Sequence, residues 1–167
     1  VNAKSGRDIS AEMRRWAKER AEALAGENLA GYVLKKDSPS CGMERVKVYD
    51  AHSLPARTGR GLFAEALLAR FPSLPIEEEG RLSDPRLRDN FVERVFAFRR
   101  LQTLFRPRWR VGDLVQFHTA HKLVVLAHSP EAYRRLGRLV AGAKAPARAS
   151  VEREYTEQFM AALTVVA

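Results

Sequence analysis

The chemically dense part of the sequence is Lys35-Lys36-Asp37-Ser38-Pro39-Ser40-Cys41-Gly42, which sets the only cysteine among hydroxyls in a tight turn with lysines nearby. Neighbouring cations and free backbone N–H groups favour an ionised sulfur, and Gly42 allows a ligand to come close or the backbone to take unusual angles. The thiolate is the form of cysteine that attacks electrophiles and binds soft metals. Ser38 and Ser40 beside it can orient water or pass a proton, and both residue types also suit a turn. By type alone, a lone cysteine is more often a small buried hydrophobe. One cysteine forms no internal disulfide and no complete multi-cysteine metal site, so any cluster needs ligands from elsewhere.

Three other groups invite chemistry. His118 and His121 are one helical turn apart and His128 follows seven residues later, so a helix can bring them to similar faces. Without an H-E-x-x-H sequence or a clear third ligand, packing or RNA contact is expected rather than zinc. Glu77, Glu78 and Glu79 read as an acidic strand or turn edge, with nothing in the sequence to converge them on Cys41. The third group is basic: Arg99, Arg100, Arg106, Arg108 and Arg110 lie in an acid-free stretch with Phe105 and Trp109, and Arg134, Arg135, Arg138, Lys144 and Arg148 extend it. Of the net charge of +9, residues 1–83 hold 14 basic against 12 acidic side chains and residues 84–167 hold 15 against 8. Guanidinium groups neutralise phosphates and an exposed aromatic stacks on an unpaired base, so RNA is the expected partner; the alternative is a solvated helix face with buried aromatics, Phe105 among them.

The elements that must position these groups follow from periodicity. Asp8 or Ser10 caps a helix through Met13, Trp16, Ala17, Ala21 and Leu24 that ends near Gly26; Leu29–Leu34 is a buried strand, and Cys41 lies just past its carboxyl end. Val46, Val48 and Tyr49 suit a short strand or extended edge, Ala51–Arg60 a loop, Gly61–Phe71 an amphipathic helix, and Ile76–Glu79 an extended segment. Helix, strand, helix, strand predicts an α/β fold, a partial Rossmann-like layer with a mostly parallel sheet whose ligands sit beyond the strands' carboxyl ends. From Asp84-Pro85 onward the pattern is all helical: Leu87, Phe91, Val95, Phe98 and Leu101 form one face, Pro107 interrupts, Asp113 caps the next helix, and Ser129-Pro130 begins another. A boundary near Pro107 divides the chain into 1–107 and 108–167. At 167 residues with 46% hydrophobic content, one ordinary domain or two small ones can bury a core. No run is long enough to cross a bilayer and the start lacks a secretory signal, which makes the cytoplasm the expected compartment.

Leu34-Lys35 through Ser38-Pro39-Ser40-Cys41-Gly42, followed by Arg45-Val46-Lys47-Val48-Tyr49, resembles the thiouracil desulfidase family. Gly59-Arg60-Gly61-Leu62-Phe63, Leu74 through Leu82, and Arg88 through Phe96 look like later segments of that family, together over roughly residues 8 to 100. Leu114-Val115-Gln116-Phe117-His118-Thr119-Ala120-His121-Lys122 and Leu126-Ala127-His128-Ser129-Pro130 look like a YbgA-like helical domain, cut short. The combination is similar to fusion proteins that remove sulfur from 4-thiouridine in transfer RNA. The resemblance implies that three cysteine thiolates hold a 4Fe-4S cluster with one iron open to take sulfur from a thiolated pyrimidine. Cys41 matches one of the three. The other two belong to family segments that would precede Val1, so the chain is expected to be an incomplete fragment without a stable cluster. Ser38 matches a serine beside the substrate, and Ser40 supports the turn. The expected function is desulfuration of thiolated uracil in transfer RNA, with the arginines binding RNA. Desulfuration of a free thiopyrimidine or its nucleotide shares the chemistry, and a non-catalytic nucleic-acid-binding or scaffold domain with a buried structural Cys41 is the alternative from another class.

Overall fold

A computed structural model describes residues 8–49 and 55–166, which divide into two units, one ending at Ser83 and the other starting at Asp84.

In the first unit, helix α1 (Ser10–Ala23) buries Ala17 and Ala21 against α2 (Leu62–Arg70), which buries Phe63, Ala64 and Leu67. Asp8 Oδ1 accepts the Ser10 N–H at 2.9 Å, while Ile9 holds the capping position itself. A 3-10 turn (Leu24–Glu27) follows α1, and the reversal falls at Asn28 (φ 50°) instead of Gly26. Asparagine tolerates the left-handed conformation, so glycine is not required there.

Strand β1 (Tyr32–Leu34) runs parallel to β4 (Ile76–Glu78), pairing Tyr32 with Ile76, Val33 with Glu77 and Leu34 with Glu78. The small parallel sheet with its helices is the α/β arrangement that the alternation predicts. Strand β2 (Val46–Tyr49) pairs antiparallel with β3 (Pro55–Gly59). Residues 55–59, expected as loop, are therefore strand; the rest of that expectation at 51–54 lies outside the described residues. The strand is hidden in the sequence because proline and glycine mark its ends, and both are tolerated where a strand has a single partner.

The second unit is the helical one: α3 (Pro85–Leu104), α4 (Val111–His128), α5 (Pro130–Gly142) and α6 (Arg148–Ala162). Asp84 Oδ1 accepts the N–H groups of Arg86 (2.8 Å) and Leu87 (3.3 Å) ahead of a first-turn proline, and Ser129 Oγ accepts that of Ala132 (3.2 Å). Both side chains satisfy N–H groups that have no partner within the helix. At α4 the capping position is Arg110. Asp113, three residues in, reaches back to accept the Arg110 N–H at 2.8 Å, which is the return half of a capping box.

Leu101, Leu114, Leu136, Tyr155, Phe159 and Leu163 are fully buried in the core of this unit. Beyond α6 the chain is held by side chains of the earlier helices: Asn90 Nδ2 donates to the Leu163 carbonyl at 3.0 Å, and His128 Nδ1 bonds the Val165 carbonyl. The boundary expected near Pro107 falls within this unit, in the turn between α3 and α4. Among the described residues no helix is long and apolar enough to cross a membrane.

Candidate functional site

The loop that carries Cys41 leaves β1 at Leu34 and is tied at once to the end of β4. Glu79 N–H donates to the Leu34 carbonyl (3.0 Å), and Lys36 N–H donates to Glu79 Oε2 (2.6 Å). Gly42 N–H then closes a turn on the Ser38 carbonyl at 2.8 Å. Inside it Ser38 Oγ accepts the Cys41 N–H at 3.3 Å, Ser38 Oγ and Ser40 Oγ are 3.1 Å apart, and Ser40 Oγ lies 3.4 Å from Cys41 Sγ. The three residues singled out in the sequence are thus one hydrogen-bonded string, and Cys41 is half-buried. A half-buried thiol is held in place yet open to a ligand, unlike a core cysteine.

Three attachments fix this string. The Ser40 carbonyl accepts the N–H groups of Phe63 (2.8 Å) and Ala64 (3.1 Å), and the Gly42 carbonyl accepts that of Gly61 (2.8 Å). The loop therefore caps α2 with its backbone, satisfying donors that a helix start leaves without partners. Gly61 has ordinary backbone angles (φ −67°, ψ 141°), so its lack of a side chain serves close approach: a Cβ there would overlap the Ser40 carbonyl and come within 2.7 Å of the Cys41 nitrogen. The third attachment is Glu78, a buried carboxylate whose Oε1 accepts the Met43 N–H at 2.6 Å.

Sequence reasoning missed Glu78 and Gly61. The available signal for Glu78 was a charged residue at the end of a short extended segment that begins with Ile76, since a carboxylate drawn into the interior with that segment needs a partner. Its neighbour Glu77 accepts from Arg81 Nε at 2.7 Å. The acidic run thus divides between an ion pair and the support of the loop.

A 4Fe-4S cluster is held by thiolates. This sequence contains one cysteine, and among the described residues no group of three or more His, Cys, Asp and Glu side chains converges to hold a metal ion. The sequence offers one thiolate to such a cluster, that of Cys41.

In the second unit, Arg99 and Arg100 lie near the end of α3, Arg106, Arg108 and Arg110 in the turn to α4, and Arg134 and Arg135 on α5; all seven are exposed. The aromatics among them are turned inward. Phe105 and Trp109 pack on the core with ring centroids 5.1 Å apart, and the Arg148 guanidinium sits 5.2 Å over the Trp109 ring. The surface of this stretch is guanidinium and the rings are structural.

The histidines go to separate partners. His118 Nδ1 is 3.1 Å from the Tyr155 hydroxyl, His121 stacks on Phe117 at 4.0 Å, and buried His128 faces Glu93 Oε2 at 2.9 Å. Burial, followed by the charges of Lys122 and His121, holds the His118 imidazole below its usual pKa of 6.5. An unfolded chain takes up this proton near pH 6.5 while the folded one does so only at lower pH, so stability falls as pH drops through that window. The urea midpoint of the helical unit is expected to decrease between neutral and mildly acidic pH, and His118→Gln is expected to flatten the dependence; an unchanged slope in this variant counts against the assignment.

Residues 1–79 match the family described as 2-thiouracil desulfurase. Residues 122–167 match a second family, described as a protein of unknown function (DUF1722), and residues 80–121 lie outside both matches. The chain therefore carries a stretch similar to the 2-thiouracil desulfurase family followed by a stretch similar to the DUF1722 family. A curated protein of Escherichia coli (strain K12), "Uncharacterized protein YbgA", is 41% identical over 56 residues, which are 34% of this chain and 33% of that protein. The chain thus spans about one third of the length of that relative. No solved structure matches.

Proposed function

We propose that this protein removes sulfur from thiolated uracil in transfer RNA, using Cys41 as one thiolate of a 4Fe-4S cluster whose other thiolates lie outside these residues. The observation that carries the reading is the string Ser38 Oγ, Ser40 Oγ and Cys41 Sγ, locked to α2 and β4 within residues that match the 2-thiouracil desulfurase family. A cluster with an open iron supplies a soft acceptor for sulfur. In the net reaction the oxygen of water replaces sulfur at the ring carbon, and sulfur leaves as sulfide with the hydrogens of water, so no oxidant or reductant is consumed. Ser38 Oγ orients that water or hands on its proton through Ser40, and the backbone contacts of Ser40 keep both hydroxyls in register with the thiol. The exposed arginines at 99, 100, 106, 108, 110, 134 and 135 neutralise phosphates of the RNA and release its counterions.

The test uses the intact protein with its cluster rebuilt anaerobically and sulfide release measured from 4-thiouridine transfer RNA. Cys41→Ala is expected to lower bound iron and abolish release. Reversing Arg106 and Arg108 to glutamate is expected to weaken transfer RNA binding and reduce the salt dependence of log affinity by about 2 in slope. Unchanged iron and turnover after Cys41→Ala sink the role of the cysteine. Transfer RNA binding indifferent to the arginine reversals sinks the RNA assignment and favours a free thiopyrimidine.

A further inference from the structure

The antiparallel pair β2–β3 holds a juxtaposition that strand pairing by itself disfavours. Lys47 and Arg57 are register partners, so two cations stand opposite one another on one face of a two-stranded sheet. Like charges at directly opposed positions destabilise a sheet. A carboxylate offsets part of this charge: Asp37 Oδ1 lies 3.6 Å from Arg57 Nη1. One carboxylate against two cations leaves the place positive.

These three residues, with Pro39 and Val46, line a cavity of about 310 Å³. The register irregularity between Val46 and Lys47 re-aims β2 at this point, so consecutive residues both face the cavity. Pro39 lies between Ser38 and Ser40, and one wall of the cavity is therefore the loop that carries Cys41. Lysine and arginine converging from two strands suit an anion with several acceptor oxygens, because an ammonium and a guanidinium each engage a different edge of it.

We propose that this cavity is a phosphate subsite, in which Lys47 and Arg57 hold the phosphate of a nucleotide whose base is presented to the Cys41 loop. The identity of that base rests on the desulfuration reading; the phosphate chemistry does not. The phosphate belongs either to a free nucleotide or to an RNA backbone, and Asp37 sets how much of the Arg57 charge is available to it.

The experiment titrates uridine monophosphate and uridine into the 167-residue chain at low salt and follows binding by calorimetry. The monophosphate is expected to bind about tenfold more tightly than the nucleoside. Lys47→Gln and Arg57→Gln are each expected to remove most of that preference, and Asp37→Asn to increase monophosphate affinity severalfold, since asparagine keeps the left-handed backbone of Asp37 (φ 56°) while freeing Arg57. All three side chains are exposed, and circular dichroism verifies that the variants fold. A uridine trinucleotide without a terminal phosphate separates the sources: binding as tight as that of the monophosphate assigns a backbone phosphate, and weaker binding assigns a free nucleotide. Equal binding of monophosphate and nucleoside, no binding of either, or a preference unmoved by Lys47→Gln and Arg57→Gln overturns the subsite. Phosphate-dependent binding alongside an intact protein that releases no sulfide leaves the subsite and removes the desulfuration reading; sulfide release indifferent to phosphate and to these variants does the reverse.

Discussion

Replacing Gly61 with alanine is expected to destabilise the first unit by about 1–3 kcal/mol and to lift the Cys41 loop from the start of α2. The added methyl group meets backbone, the Ser40 carbonyl and the Cys41 nitrogen, and backbone held by hydrogen bonds on both sides cannot move aside as a flexible side chain would. Any shift that relieves the overlap lengthens the bonds from Gly61, Phe63 and Ala64 to the loop carbonyls, each contributing about 1 kcal/mol. Urea unfolding reads the stability change. The rate at which a thiol reagent modifies Cys41 reads the loop, and is expected to rise. Gly26 is the control, because a Cβ there meets nothing within 4 Å and its change to alanine should leave both measurements nearly unmoved. A Gly61→Ala protein with native midpoint and native thiol reactivity would show that the loop does not depend on this close approach.

In the helical unit the corresponding sensitive point is Tyr155. Its ring is fully buried, stacks on Phe159 with centroids 5.8 Å apart and meets Phe105 and Phe117 edge-on at 6.3 and 6.1 Å. Truncating a buried aromatic removes its transfer free energy and leaves a cavity, so Tyr155→Ala is expected to cost about 3–5 kcal/mol, a large part of the stability of an ordinary domain. Tyr155→Phe keeps the ring and removes only the hydroxyl that faces His118 at 3.1 Å, for about 1 kcal/mol. Helical circular dichroism during urea unfolding separates the two. Equal losses for both variants would mean that the polar contact, and not ring packing, dominates at this position. Burial also pushes the Tyr155 hydroxyl well above the usual phenol range, so over ordinary pH it remains a neutral partner for His118.

The parts of this molecule legible in the sequence are those whose causes are local. Asp84 ahead of Pro85 and Ser129 ahead of Pro130 start helices because a side-chain oxygen two or three residues upstream meets the free N–H groups, and that information is contained within four residues. The turn holding Ser38, Ser40 and Cys41 was readable for the same reason. Its supports were not: Glu78 reaches Met43 across 35 positions, and the requirement for glycine at residue 61 exists only once the loop has docked on α2. The pairing of Lys47 with Arg57 depends on the register of β2 with β3, and β3 itself was obscured by Pro55 and Gly59. Phe105 and Trp109 show another limit of reading composition. An arginine-rich stretch with aromatics suits RNA stacking equally well on paper, but rings seek the core while guanidinium groups remain in water.

The contacts of Asn90 and His128 with the carbonyls of Leu163 and Val165 make α3 and α4 the keepers of the segment beyond α6. In folding terms, helices far apart in the chain are expected to open together, because α3 contributes Ala97 and Leu101 to the same core as Tyr155 and Phe159 and also holds the residues that follow them. Residues 84–107 lie outside both family matches, yet they belong to the compact helical unit. A boundary drawn by likeness and a boundary drawn by packing therefore fall at different places in this chain, and a helical fragment cut at Pro107 would lack one wall of its own core.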